Sequence, residues 1–323
     1  MDYEEWVNIN GDQQNIRVVS EDIKHPIILF LHGGPGVCDR HWVLHYQGQL
    51  KKNYTMVFWD QRGSGKSWHA DIKKQDLHVE DYIQDARAML EHLSKEFGQE
   101  KIIVAGHSWG TIIGTPLVTR YPEHVAAYIG QGQFVEGTDN ELLSWQFCVD
   151  EARSRNDKKT LEKLEGNPPV HGNYPTHKAL MAQRDALTRY GGACWKDRGG
   201  MVSSLLIPLF TMEGYKVKDI PKYAKGALYL TDVLWPEVVD ADFCETAPEI
   251  TVPVLLTIGR HDYNTPFPLA EKWFNQLNAP YKKLVWFSES AHSPIKEEPE
   301  KWGLAVDKFI QRHVLGNKDY LKK

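Results

Sequence analysis

Lys101-Ile102-Ile103-Val104-Ala105-Gly106-His107-Ser108-Trp109-Gly110-Thr111-Ile112-Ile113-Gly114 is the stretch on which the fold turns. Its first five residues are an apolar run of strand character, and the residues after Gly110 have the composition of a helix. Strand, tight turn and helix in that order frame a G-x-S-x-G nucleophile elbow. In such an elbow the two glycines let strand and helix approach so closely that the serine sits on a strained turn, its hydroxyl exposed above the sheet. Ser108 is therefore the candidate nucleophile. His107, whose side chain should point away from that of Ser108, is assigned to packing or loop support. The pentapeptide alone also arises in glycine-rich loops, where Ser108 would serve only as a helix N-cap, so the partners must come from elsewhere in the chain.

Upstream, His25-Pro26-Ile27-Ile28-Leu29-Phe30-Leu31 reads as a buried strand that runs into His32-Gly33-Gly34-Pro35-Gly36. A loop of this kind offers bare backbone N–H groups to an oxyanion. The two donors expected are Trp109, after the nucleophile, and Gly34. Downstream, Val252-Pro253-Val254-Leu255-Leu256-Thr257-Ile258 reads as a strand that ends in Gly259-Arg260-His261-Asp262. A further run, Lys283 to Phe287, leads into Ser288-Glu289-Ser290-Ala291-His292-Ser293-Pro294. Taken singly, Asp262 could merely turn the chain ahead of a helix near Pro266, and His292 could be a buried hydrogen-bonded histidine. Taken together, three loops that each follow a strand carry a nucleophile, an acid and a base. The order Ser108, Asp262, His292 is that of the α/β-hydrolases and differs from those of chymotrypsin and subtilisin.

His32 to Gly36, the later Asp60-Gln61-Arg62-Gly63-Ser64-Gly65-Lys66-Ser67 and the elbow with tryptophan after its serine together resemble the prolyl iminopeptidase family, serine peptidase family S33. The resemblance spans the N-terminal third and the C-terminal quarter of the chain. It implies an α/β-hydrolase core that removes N-terminal residues, typically proline, from small peptides. The family also supplies cap carboxylates for the substrate's free ammonium, one of them typically in a Trp-Glu pair. This chain has no such pair in the corresponding region, and Glu213, Glu136 and Glu151 are the candidate substitutes, Glu213 first.

The fold expected is a mostly parallel sheet with helices on both faces and an inserted helical cap. Strand-like runs at 16–19, 27–31, 54–58, 101–105 and 125–129 alternate with helical patterns. Among the latter, Asp81 to Phe97 carries Tyr82, Ile83, Ala86, Leu90, Leu93 and Phe97 at helical spacing and stops at Gly98. Pro116 should kink or shorten the helix after the elbow. Beyond Val135 the pattern changes to a polar helical segment from Asn140 to Lys163, followed by glycine- and proline-rich stretches. The expected division is a core of 1–135 and 248–323 with a cap of 136–247. Trp145, Trp195, Trp235, Phe210 and Tyr215 either line the underside of that cap or form its own core.

The chain has 323 residues, 41% hydrophobic and 25% charged, with a net charge of -5. That composition is ordinary for a soluble globular protein and argues against nucleic-acid partners, and no apolar span reaches membrane length. Met1-Asp2-Tyr3-Glu4-Glu5-Trp6 is acidic where a signal peptide would be basic, and Cys38, Cys148, Cys194 and Cys244 are scattered; a cytoplasmic protein with free thiols is expected. Gly63 to Ser67 ends like a P-loop, but that spacing needs glycine where Asp60 stands. His41 and His45 lie one helical turn apart without a third ligand and are read as packing or surface residues, so neither metal nor cofactor is expected. Three functions remain open: an aminopeptidase releasing N-terminal proline or small residues, a carboxylesterase or lactonase acting on small neutral esters, and a ligand-binding protein or non-hydrolytic enzyme on the same fold. The oligomeric state is not legible.

Overall fold

Residues of alternating facing, apolar on both sides, build the centre of the molecule. In the computed structural model, which describes residues 1–199 and 207–317, eight strands are present. They are β1 (Asp2–Ile9), β2 (Asp12–Val19), β3 (Ile27–Leu31), β4 (Thr55–Asp60), β5 (Ile102–His107), β6 (Val125–Gln131), β7 (Val254–Gly259) and β8 (Lys282–Phe287). Their order in a single sheet is β1-β2-β4-β3-β5-β6-β7-β8. β2 pairs antiparallel with both β1 and β4, and every later pairing is parallel.

Helices α1 (Arg40–Gln47), α2 (Val79–Phe97) and α3 (Trp109–Arg120) are the crossovers up to β6. Between β6 and β7 come α4 (Gly137–Ser154), α5 (Lys158–Glu165), α6 (His177–Tyr190), α7 (Ile207–Thr211), α8 (Ile220–Asp240) and α9 (Phe243–Thr246). α10 (Phe267–Gln276) joins β7 to β8, and α11 (Pro294–Glu297) and α12 (Pro299–His313) follow. Ile27, Leu29 and Leu31 of β3 and Ile102 and Val104 of β5 face a core that takes in α2, α3 and α10. Ile28, Phe30, Ile103 and Ala105 face the opposite core, with Val43 of α1 and Trp302, Val306, Phe309 and Ile310 of α12. Helices on both faces follow from this burial of both sides of parallel strands.

The expected strands are all present, several extended by a few residues. β1 goes beyond them. It is an edge strand of mixed polarity, joined to β2 by Asn10 and Gly11 at φ 49° and 84°, the left-handed pair of a tight hairpin. α2 ends at Gly98, φ 64°, as its stop signal indicated. α3 runs on past Pro116 to Arg120, so the proline does not shorten it. The polar segment expected from Asn140 to Lys163 is two helices, broken where Asn156 takes φ 55°.

The helices between β6 and β7 leave and rejoin the core at a narrow neck. There Gly137 N–H donates to Ala241 O at 3.0 Å and Phe243 N–H to Val135 O at 2.8 Å. They also have a small core of their own around Cys148, Val149, Leu164, Ala186, Leu187 and Tyr190. No helix among the described residues is long and apolar enough to cross a membrane.

Candidate active site

β5 ends at His107 and α3 begins at Trp109, leaving Ser108 alone on the turn at φ 53° and ψ -116°. That conformation is strained for a residue with a side chain and is held by crowding around it. A Cβ on Gly110 would lie 1.9 Å from Leu31 O, and one on Gly106 would lie 2.6 Å from Gly110 O. Only glycine allows β3, β5 and α3 to meet so closely. Ser108 N–H donates to Gln131 O at 3.0 Å, tying the turn to the end of β6.

Ser108 opens into a cavity of about 250 Å³ between the sheet's C-terminal edge and the helices inserted after β6. Gly34, Trp109, His107 and His292 line it from the core, and Asn140, Glu141, Arg184 and Trp235 from the insert. As the first residue of α3, Trp109 has no intrahelical acceptor for its N–H, and Gly34 borders the same space.

Asp262, completely buried, follows β7, and His292 follows β8. His292 Nδ1 lies 3.0 Å from Asp262 Oδ2. The other carboxylate oxygen accepts N–H groups from Asn264 at 2.9 Å and Thr265 at 3.0 Å, and Thr265 Oγ1 donates to Oδ2 at 3.0 Å. The acid is thus fixed in one orientation. His292 Nε2 is buried without a hydrogen-bond partner among the described residues, in the cavity that Ser108 lines.

His107 lines the cavity as well, more than the packing role expected of it. Its Nδ1 lies 3.2 Å from Asp39 Oδ2 and its Nε2 3.4 Å from Ser293 Oγ. Cys194 also borders the space, but burial pushes its thiol up to about 11, which keeps it protonated and unreactive.

A strap from the insert binds both loops that carry these residues. Gly192 O accepts Tyr263 N–H at 2.9 Å, Ala193 O accepts His292 N–H at 3.3 Å, and the Trp195 ring stacks on His261 at 3.4 Å. Buried Glu297 completes the clasp. One carboxylate oxygen accepts Trp195 N–H at 2.6 Å and Lys196 N–H at 2.9 Å, and the other accepts Ala291 N–H at 2.8 Å.

The three carboxylates expected to meet an ammonium lie elsewhere. Glu213 pairs with Arg17 and its side chain is 75% exposed. Glu136 caps α4, accepting N–H groups from Thr138 and Asp139, and Glu151 pairs with Arg155 one turn along the same helix. The cavity's carboxylate is Glu141, 2% exposed and bound through both oxygens to Arg184 Nη2 at 2.7 and 2.8 Å. Nothing in the sequence separates Glu141 from its neighbours on a polar helix. Its importance comes from Arg184 on α6, 43 residues away.

Of the five aromatic residues proposed for the underside of the cap, Trp235 lines the cavity. Trp145 packs in the insert's own core and Trp195 lies in the strap. Phe210 is exposed, and the Tyr215 hydroxyl donates to buried Asp60 at 2.6 Å. The 60–67 motif is a buttress. Asp60 accepts from Arg40, Gln61 Oε1 accepts the Trp109 indole N–H at 2.9 Å, and Arg62 forks onto Asp85 at 2.8 and 2.7 Å. His41 is fully buried in α1, 5.0 Å from the Trp42 ring, a packing residue.

A family model described as "Serine aminopeptidase, S33" matches residues 23–182. The chain is 28% identical over 310 residues to a probable aminopeptidase of Bacillus subtilis, YbaC, with 95% of this chain and 96% of that one covered. It is 21% identical over 315 residues to a proline iminopeptidase of Thermoplasma volcanium, with 96% and 97% covered. A solved proline iminopeptidase-related protein of Thermus thermophilus superposes with a TM-score of 0.67 at 17% identity, covering 97% of this chain and 99% of that one, a likeness of fold. Near full-length similarity to aminopeptidases and a family match reaching from ahead of β3 into α6 agree with this strand order: the chain has the α/β-hydrolase fold, is a hydrolase, and is similar to the prolyl iminopeptidase-like S33 serine peptidases.

Proposed function

We propose that the chain is an aminopeptidase acting on small peptides, with Ser108 as nucleophile, His292 as base and Asp262 as the group that orients it. His292 takes the proton of Ser108 as the hydroxyl attacks a carbonyl. Asp262 holds the imidazole in the productive tautomer and stabilises the imidazolium. The N–H groups of Gly34 and Trp109 face the oxyanion, a contribution worth on the order of 10²–10³ in kcat per donor in other hydrolases. The tetrahedral adduct collapses as His292 passes the proton of Ser108 to the leaving amine and the C–N bond breaks, which leaves the acyl group on Ser108. Water, deprotonated by His292, then releases it as the free acid, and the scheme needs neither metal nor cofactor. Residues 136–247 act as the cap over this chemistry. A cytoplasmic setting belongs to the same reading, supported by four cysteines that are all free thiols.

One observation carries the choice of a free amine. Asn140 Nδ2 donates to Glu141 Oε1 at 3.0 Å and to Asn264 O at 3.1 Å, which fixes the amide and leaves the buried Oδ1 without a partner. Beside it stands the buried Glu141 carboxylate. An orphaned acceptor next to an anion, both in the wall of the cavity, suits an ammonium group, because burying either unmatched is costly. The esterase reading has its own support, since Arg184 already neutralises Glu141.

Hydrolysis of proline and alanine arylamides, their N-acetyl derivatives and an aryl acetate separates the two. The aminopeptidase reading expects cleavage of the free-amine arylamides, loss on acetylation, and a fall of about tenfold or more in kcat/KM for Glu141→Gln. Cleavage of the ester alone, indifferent to Glu141, overturns it.

A further inference from the structure

We infer that the Ser293 hydroxyl accepts the N–H of the scissile amide, which makes Ser293 the residue that favours amides over esters. The inference rests on the aminopeptidase reading and deepens it, from the amine of the substrate to the bond that is cut.

Ser293 is the N-cap of α11, a position where a serine hydroxyl ordinarily accepts a backbone N–H from the first turn of its helix. Here it makes no such bond. The residue lines the cavity instead, with its Oγ 3.4 Å from His107 Nε2. That contact decides which way the hydroxyl proton points. His107 Nδ1 lies 3.2 Å from Oδ2 of buried Asp39, and an ionised carboxylate only accepts, so Nδ1 carries the imidazole proton. Nε2 of the neutral ring is then an acceptor, and the Ser293 O–H donates to it. The lone pairs of Ser293 Oγ are left for whatever occupies the cavity, which Ser108 and His292 also line.

An amide substrate brings the matching donor. When Ser108 Oγ bonds to the carbonyl carbon, the nitrogen loses its conjugation with that carbonyl. Its lone pair must face His292 to take the proton before the C–N bond breaks, and its N–H is turned elsewhere. Within the cavity that N–H needs an acceptor, because an unmatched donor is costly and the cost falls in the transition state. Ser293, the residue after the proposed base, supplies one. An ester oxygen carries no hydrogen and gains nothing from it.

The test compares kcat/KM for alanine anilide, alanine N-methylanilide and alanine benzyl ester in wild type, Ser293→Ala and Ser293→Thr. All three substrates carry the same free amine, and the anilide alone has an N–H at the scissile bond. Ser293→Ala is expected to lower the anilide-to-ester ratio by about tenfold and to leave the N-methylanilide-to-ester ratio within about twofold of wild type. Ser293→Thr, which keeps the hydroxyl, should preserve both. Because each ratio is taken within one protein, any loss of folded enzyme cancels. An anilide-to-ester ratio unmoved by Ser293→Ala, or a fall shared by the anilide and its N-methyl derivative, overturns the role of Ser293 and leaves the aminopeptidase reading standing. Cleavage by wild type of the ester but of neither anilide overturns both readings at once.

Discussion

Ser293 Oγ lies 3.4 Å from His107 Nε2, and His107 in turn lies 3.2 Å from Asp39. The cavity therefore contains two His-Ser dipeptides, 107–108 and 292–293, and the two imidazole rings sit 4.9 Å apart at 41°. His107 thus backs the proposed base, and Asp39 fixes His107. Asp39→Asn should lower kcat by about ten- to a hundredfold through misplacement of His292, while Ser108 remains reactive toward a fluorophosphonate. Active-site titration beside steady-state rates measures this. An unchanged kcat would show that the ring contact has no catalytic consequence.

Ser108→Ala should abolish turnover, by about 10⁴-fold or more, with stability within about 1 kcal/mol of wild type. Labelling by the fluorophosphonate should vanish with it. A carefully purified variant of undiminished activity would falsify the assignment of the nucleophile.

Asp262→Asn places an NH₂ among groups that now meet a carboxylate. The two backbone N–H groups and the Thr265 hydroxyl already donate to this side chain, so an amide oxygen can satisfy only part of the set. His292 would then be held in the wrong tautomer, and kcat should fall by about 10⁴. Circular dichroism should show the fold intact.

Much of this arrangement is legible from local sequence, because each catalytic candidate closes a strand and the elbow carries its glycines within five residues. Gly106 and Gly110 are legible for a steric reason that no partner can change. The cavity wall is different. Glu141 and Arg184 acquire their roles only when α4 and α6 pack together, and a glutamate on a polar helix looks the same whether it meets solvent or a guanidinium. Glu213 was the more attractive sequence candidate, and the N-terminal hairpin claims it through Arg17. β1 is hard to read because an edge strand needs only part of one face apolar, and half of Asp2–Ile9 is polar.

Gly110→Ala tests the steric argument directly. With the added methyl 1.9 Å from Leu31 O, either β3 or α3 must move, and the variant should lose more than about 3 kcal/mol in a urea titration. A loss below about 1 kcal/mol would show that the elbow has room to relax.

His41 gives the protein a pH-dependent stability separate from catalysis. Burial pushes its imidazole down to about 4, and neither ring nitrogen has a hydrogen-bond partner among the described residues. The unfolded chain, with a histidine near its ordinary 6.5, binds the proton first as pH falls. Stability should therefore be full above about 6.5, decline toward pH 4 by roughly 3 kcal/mol, and flatten below, and buried His32 shifts in the same direction. Urea midpoints across that range should show a shallower decline for His41→Leu. Identical curves for the two proteins would remove His41 as the cause.

The strap from Gly192 to Lys196, hooked to the Asp262 and His292 loops and clasped by Glu297, means that selectivity and chemistry cannot be exchanged as separate modules. A chimera that imports another hydrolase's insert to gain a new specificity would also import, or lose, the scaffold that holds the proposed base and the aspartate that orients it in register. Grafts that retain residues 192–196 together with Glu297 are the ones expected to keep a working catalyst, and engineering of this enzyme's substrate range is best confined to the wall formed by α4, α6 and α8.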